Sequence, residues 1–496
     1  RKLGFQVLLI TLLPLIILPS CVVQQNPVSG NKRAFAYSWD KEVEIGTQAD
    51  QEIAAQFGVY QDEKIQDYID ELGQELLEVS HMRRVDTDPK FKNTPFTFRV
   101  LNSPVVNAFA LPGGYVYVTR GLMNHLNNEA QLAVVVGHEI GHVAARHASQ
   151  RALSQTISQI AVVGGSILGQ ELLGLPGQSL MDLSSQAAQL LLLSYSRNHE
   201  RESDRLGVEY AAMKNYEASE GAKFFTSLKR ISEKRGQSIP THLSTHPDPG
   251  EREKNIPVMA QEWEEKGYRQ SIVDKDEYLS LIDGMVFGEN PREGFVENET
   301  FIHPDLAFKF PVPGGWQVIN QATQVGMISP SEDAIMILRI DSEASSPRAS
   351  VLEFTSQEGI TVVNEGETLS SGEWPAYEAD ATAASQGNEF GLYVYALEYG
   401  DNIYNFLNYT SSSAYDNYKS VFTRTTNGFD KLTEEKYLNI EPVRLRIVEA
   451  DRRAPFREFL PDPLPMGNQP QDIAIVNQVD LDEMIEPGTK LKIPVQ

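Results

Sequence analysis

Two segments constrain this chain before any other: HEIGH at 138–142 and SRNHERESD at 196–204. Residues four apart on a helix share a face, so His138 and His142 can reach one ion at about 2.0–2.1 Å. Glu139 lies about 100° further round, badly placed to ligate but well placed to hold a water. The surrounding EAQLAVVVGHEIGHVAARHASQR keeps helical spacing through Leu132, Val135 and Val136, and no proline interrupts it. Gly141 costs such a helix about 1 kcal/mol relative to alanine, so its presence predicts another element packed closely on that face. Structural zinc sites usually close all four positions with cysteines, and Cys21 is the one cysteine here. The pattern therefore reads as a catalytic site for one zinc ion per chain.

The second segment offers two acidic candidates for a third ligand, Glu200 and Glu202. They lie about 200° apart on one helix, so one of them at most faces the metal. Asp204 shares a face with Glu200, which makes Glu200 the predicted ligand and Asp204 the acceptor for the spare ring nitrogen of a ligating histidine. His246 stands in STHPDPG (244–250), held extended by the following proline. It either occupies the water position at rest, contacts substrate, or is a loop histidine that only packs. His147, five residues after His142, is predicted to point away from the ligand face. His81, His125, His199, His242 and His303 read as ordinary residues.

HEIGHVAARH (138–147), YSRNHERESDRLG (195–207), NAFALPGGYVYVTRGL (107–122) and the STHP loop together resemble the HtpX and CAAX-prenyl-protease-like family of zinc metallopeptidases, in particular its bacterial periplasmic lipoprotein branch. The resemblance covers roughly residues 40–265. It implies His138, His142 and Glu200 as ligands, Glu139 as general base, and a substrate-binding edge strand drawn from Asn107, Ala108 and Phe109 or from Tyr115 to Val118. Ser203 departs from the family, which usually has alanine there. The helical repeats that follow the protease domain in one branch are not visible after 265.

The opening RKLGFQVLLITLLPLIILPSC has the shape of a secretory signal. Its Leu18, Pro19, Ser20 and Cys21 resemble a lipobox, so residues 1–20 are expected to be cleaved and Cys21 lipidated as a membrane anchor. Val22 rather than aspartate after the cysteine favours the outer over the inner membrane, by family analogy. The formal net charge of −25 and the absence of a dense basic patch exclude nucleic acid as a partner. Address and family together imply unfolded or misassembled envelope proteins as substrates.

At 496 residues the chain has room for several cores. The expected class is α+β: a lipidated linker (21–40), a mostly helical zincin-like metallopeptidase domain with a small edge sheet (41–265), a linker (266–300), a β-rich domain (301–430) and a C-terminal module (431–496). A helical pattern runs through 41–79, and FTFRVL (96–101) and YVYV (115–118) read as strands joined through a PGG turn. Residues 152–196 are nearly free of charge and read as a helical hairpin or lid over the cleft, with a pair of membrane spans the weaker reading. RLRIVEA (444–450) and PGTKLKIP (487–494) resemble part of a LysM-type module, which leaves weak peptidoglycan contact open beside a simple packing role. Two competing functions stay in view: a chaperone-like or wall-binding lipoprotein with a capped or vestigial site, and an intramembrane protease.

Overall fold

The computed structural model describes residues 21–162, 195–235, 246, 249–385, 388–465 and 467–496. The architecture is α+β, with a helical unit followed by a β-rich unit and a small mixed module. The expected hairpin or lid at 152–196 lies outside the described residues from 163 to 194, as do the signal segment and most of the STHP loop. Among the described residues no helix is long and apolar enough to cross a membrane.

The helical unit opens with a hairpin of β1 (Val22–Gln25) and β2 (Lys32–Phe35). Helices α1 (Trp39–Phe57) and α2 (Glu63–Val79) follow, then β3 (Thr97–Leu101), β4 (Ala108–Leu111) and β5 (Tyr115–Thr119). After a short α3 (Arg120–His125) come α4 (Glu129–Ala145), α5 (His147–Val162), α6 (Arg197–Met213), α7 (Gly221–Arg235), α8 (Pro249–Glu265) and α9 (Lys275–Ile282). Ser38, Asp62, Asn128 and Ser196 each accept a first-turn backbone N–H, starting α1, α2, α4 and α6. Each such cap is worth about 1 kcal/mol.

Helix α4 is buried from Ala130 to Ala145, as expected of a helix that is apolar all round. The strands beside it run in the order β3-β5-β4, with β3 and β5 parallel and β4 antiparallel to β5. That order leaves β4 on the edge, next to α4. The β4–β5 turn needs Gly113 and Gly114, at φ 83° and 105°, because side chains disfavour that region.

Three segments differ from the sequence reading. The helical stretch through 41–79 is two helices, broken at Gly58 (φ 69°) and restarted by the Asp62 cap. Residues 22–35, read as linker, form the β1–β2 hairpin. Its Asn26 side chain accepts from Val28 and Ser29 in the turn and donates to Ala145 O at 2.9 Å. Residues 275–282, also read as linker, form α9, because Tyr278, Leu279 and Ile282 have the protease core to pack into.

The β-rich unit is built on a seven-stranded antiparallel sheet, with β6 (Gln317–Asn320), β7 (Gln324–Ile328), β8 (Ala334–Asp341), β9 (Ile360–Leu369), β10 (Pro375–Ser385), β11 (Asn388–Tyr399) and β12 (Asn402–Ser411) in the order β9-β10-β11-β12-β8-β7-β6. Side chains alternate across it. Leu392, Val394 and Leu407 pack with Val351 and Phe354 of α10 (Pro347–Thr355). Tyr393, Tyr395 and Phe406 pack on the other face with Phe301, Phe308 and Phe422, the last from α11 (Tyr415–Asn427).

In the C-terminal module Arg444–Glu449 pairs antiparallel with Lys490–Val495, and the helix Pro470–Asn477 lies between them in sequence. This module is packed against the helical unit. The buried Lys492 ammonium donates to Asn124 O and Leu126 O at 2.7 and 2.8 Å, and Gln478 donates to His125 O at 3.0 Å.

Candidate metal centre

The centre is built where α4 and α6 cross. The two helices approach through glycine. A Cβ on Gly207 would come within 2.7 Å of Val134 O and 2.8 Å of His138 N, and one on Gly141 within 3.1 Å of Leu206 Cβ. The element predicted to pack on Gly141 is therefore α6. This contact brings the His138 and His142 rings against Glu200, one turn into α6.

Donor atoms of His138, His142, Glu200 and His246 all lie within 4.8 Å of one another, and all four residues are buried. The Nε2 atoms of His138 and His142 face each other at 2.9 Å. Glu200 Oε1 is 3.4 Å from His142 Nε2, and Glu200 Oε2 is 3.6 Å from His138 Nε2. His246 Nδ1 is 3.2 Å from both Glu200 oxygens and 3.3 Å from His138 Nε2. Glu139 is fully buried, and neither of its carboxylate oxygens has a hydrogen-bond partner among the described residues. His246 Nε2 lies 3.7 Å from its Oε1.

Converging lone pairs, with an unsatisfied carboxylate beside them, fit a divalent metal with a bound water. Burying such groups without a partner costs several kcal/mol each. Electrostatics agree with that use. Burial holds both His138 and His142 well below the usual imidazole range, so both rings are neutral, as a metal-binding imidazole must be. Burial opposes the charge on Glu200, but His246 and Arg252 outweigh it and keep the carboxyl well below its ordinary value. Burial pushes Glu139 up to about 7, the range of a group that takes and returns a proton near neutrality.

Asp204 Oδ1 sits 2.9 Å from His138 Nδ1, the position from which a carboxylate orients a ligating histidine. Of the two strand candidates, Tyr115–Thr119 is the central strand and Ala108–Leu111 is the edge. Asn107 precedes that edge, buried, with its N–H on Thr119 Oγ1 at 3.1 Å. Cys21 is exposed at the start of the hairpin.

His147 is corrected. It does not point away: it is fully buried, with Nδ1 3.0 Å from His142 Nδ1. Helix α4 ends at Ala145 because Arg146 takes the left-handed conformation (φ 59°), so the 3.6-residue period no longer places His147. Arg146 is held there by Glu42 Oε1, at 2.9 and 2.6 Å, and by stacking on Phe35 at 3.7 Å.

The roles of three other residues escaped the sequence reading. Tyr195 packs on His142 with ring centroids 4.0 Å apart and the rings tilted by 32°. Glu202 reaches His147 Nε2 at 3.1 Å. Arg252, buried on α8, donates from Nε to Asp204 at 3.0 Å and from Nη2 to Glu200. A lone arginine in an acidic helix carries no spacing signal, whereas His147 and Glu202 were visible as residue types.

Residues 71–259 match the sequence profile of Peptidase family M48. The chain carries an M48 peptidase domain. The M48 domain contains the whole metal centre just described. Among similar proteins are a beta-barrel assembly-enhancing protease of Yersinia pestis, 30% identical over 232 residues (46% of this chain and 45% of that protein), and the mitochondrial metalloendopeptidase OMA1 of Arabidopsis thaliana, 32% identical over 160 residues (31% and 30%). The chain spans about half or less of the length of these curated relatives. Among solved structures, a cyanobacterial PsbP from Synechocystis aligns with a TM-score of 0.24 at 14% identity, covering 27% of this chain and 91% of that one.

Proposed function

We propose that this protein is a zinc-dependent endopeptidase of the bacterial cell envelope, anchored to the membrane by a lipid on Cys21 and acting on unfolded or misassembled envelope proteins. The observation that carries the reading is the fully buried Glu139, whose carboxylate has no hydrogen-bond partner among the described residues, beside four converging donors. The nitrogen and carboxylate donor set suits zinc. His138, His142 and Glu200 would hold it, and the ion would supply Lewis acidity and a water of lowered pKa.

The chain's own residues do the rest. Among the described residues β4 pairs only with β5, leaving its other edge beside α4, so a substrate peptide adds there as a further strand, fixed by main-chain hydrogen bonds with little demand on its sequence. Glu139 accepts the proton of the attacking water on its carboxylate and passes it to the leaving nitrogen. Asp204 Oδ1, 2.9 Å from His138 Nδ1, would take the hydrogen of that nitrogen and keep Nε2 turned inward. Arg252 ties Asp204 and Glu200 together, so α6 cannot rotate without breaking a buried charge pair.

The test compares wild type with Glu139→Gln (residues 22–496) for degradation of an unfolded protein in the presence of zinc. Cleavage by wild type alone supports the reading; equal cleavage by both sinks it. The position of His246 favours a second state of the same site, in which this histidine takes the place of the water and holds the enzyme at rest. A binding lipoprotein with a permanently capped site is the alternative, and His246→Ala separates the two: activity should rise in the first case and stay absent in the second. The LysM-like module is proposed to act mainly as a brace on the M48 domain, with peptidoglycan contact secondary.

A further inference from the structure

Helix α6 carries acidic side chains at 200, 202 and 204, and the first and third are used at the metal centre. The middle one points to the opposite side, where it meets His147. His147 Nε2 is 3.1 Å from Glu202 Oε2, and His147 Nδ1 is 3.0 Å from His142 Nδ1. His147 is itself fully buried, while the Glu202 side chain is 23% exposed. His199 stacks on the His147 ring at 4.3 Å.

We infer that Glu202 and His147 are positioning residues that orient the ligand His142, as Asp204 orients His138. The inference rests on the zinc reading above. The proton placement follows from the ring chemistry. A ligating imidazole is neutral and gives its lone pair through one nitrogen, so the other carries the hydrogen. His142 turns Nε2 to the ligand cluster, so Nδ1–H must donate, and the group it faces is His147 Nδ1. That nitrogen then has to be the acceptor, which places the His147 hydrogen on Nε2, where Glu202 accepts it. One tautomer of each ring satisfies every member of the chain.

Ser203 adds a competing contact. Its hydroxyl is 3.3 Å from the same His147 Nδ1, which has a single lone pair. The hydroxyl and the His142 N–H therefore compete for one acceptor. Glu202 and Ser203 act in opposite directions: the carboxylate strengthens the relay, and the hydroxyl diverts it.

The experiment measures zinc affinity of the full chain by competition with a chromogenic chelator, alongside the melting temperature of the metal-free protein. Glu202→Ala is expected to weaken zinc binding about 10- to 100-fold, the usual effect of losing an outer partner, with the metal-free melt unchanged. Glu202→Gln keeps an acceptor without the charge and should fall between. Ser203→Ala should bind zinc at least as tightly as wild type. Wild-type affinity in Glu202→Ala overturns the inference and leaves the zinc reading standing. So does a loss of affinity matched by a lower metal-free melt, because that marks a structural role. Failure of the wild type to bind zinc overturns both.

Discussion

Gly207→Ala tests whether the helix crossing sets the metal centre. A new Cβ would lie 2.7 Å from Val134 O and 2.8 Å from His138 N, against an ordinary contact of about 3.5 Å. Both atoms belong to the α4 backbone and cannot swing aside, so α6 must retreat by about 0.7 Å, a shift that forfeits a quarter to a half of each lost contact. Overpacking of this kind costs about 1–3 kcal/mol. Alanine returns about 1 kcal/mol of helix propensity, so a net loss of up to about 2 kcal/mol remains. Glu200 lies two turns along the same helix and moves with it, beyond the roughly 0.5 Å tolerance of a ligand set. If about 1.4 kcal/mol of that misfit appears in binding, zinc affinity drops tenfold. Chelator competition and thermal melting read both effects. A variant that melts at or above wild type and binds zinc equally well would show that the glycine contact does not position α6.

Other expectations are as definite. Arg146→Ala leaves the buried Glu42 carboxylate unpaired and should cost about 3–5 kcal/mol, read as a lower melting temperature of the M48 domain. Lys492→Met strands the carbonyls of Asn124 and Leu126 and should cost about 2 kcal/mol; limited proteolysis should then release the C-terminal module sooner. Zinc at a hundred times its dissociation constant should stabilise wild type by about 2.7 kcal/mol, and His138→Ala should lose that increment. Burial lowers the His303 pKa from 6.5 to about 4, and its Nδ1 accepts from Leu306 N–H. The unfolded chain thus binds this proton more readily, and stability present above pH 6.5 is lost as pH falls towards 4. The loss is at most about 3 kcal/mol, less where solvent reaches the ring. His303→Gln should flatten the acid side of the melting curve, and an unchanged pH profile would refute that account.

Helical periodicity made most of the centre readable from sequence. Glu139, His138, His142, Glu200 and Asp204 all sit inside uninterrupted helices, where spacing alone assigns faces. His147 was misread because the period was carried through Arg146, a residue that does not advertise a left-handed turn; its partner Glu42 lies 104 residues away. Arg252 and Tyr195 come from separate elements, brought in by tertiary packing. The β1–β2 hairpin and α9 were missed for a related reason. Both are short, and what stabilises them is the surface of the helical unit rather than their own pattern. The edge strand was narrowed to two candidates because pairing order is a long-range property that strand composition does not encode.

The hairpin has a consequence for how far this protein can reach. Cys21 directly precedes β1, and five residues on, Asn26 is bonded to the last carbonyl of α4. Even fully extended, those residues span no more than about 18 Å. A lipid on Cys21 would therefore hold the end of the metal-binding helix near the bilayer face, with no slack to swing into the surrounding compartment. Such an enzyme would search a thin layer along the membrane rather than a volume. Chains stalled at that surface would meet it, while folded proteins farther away would not.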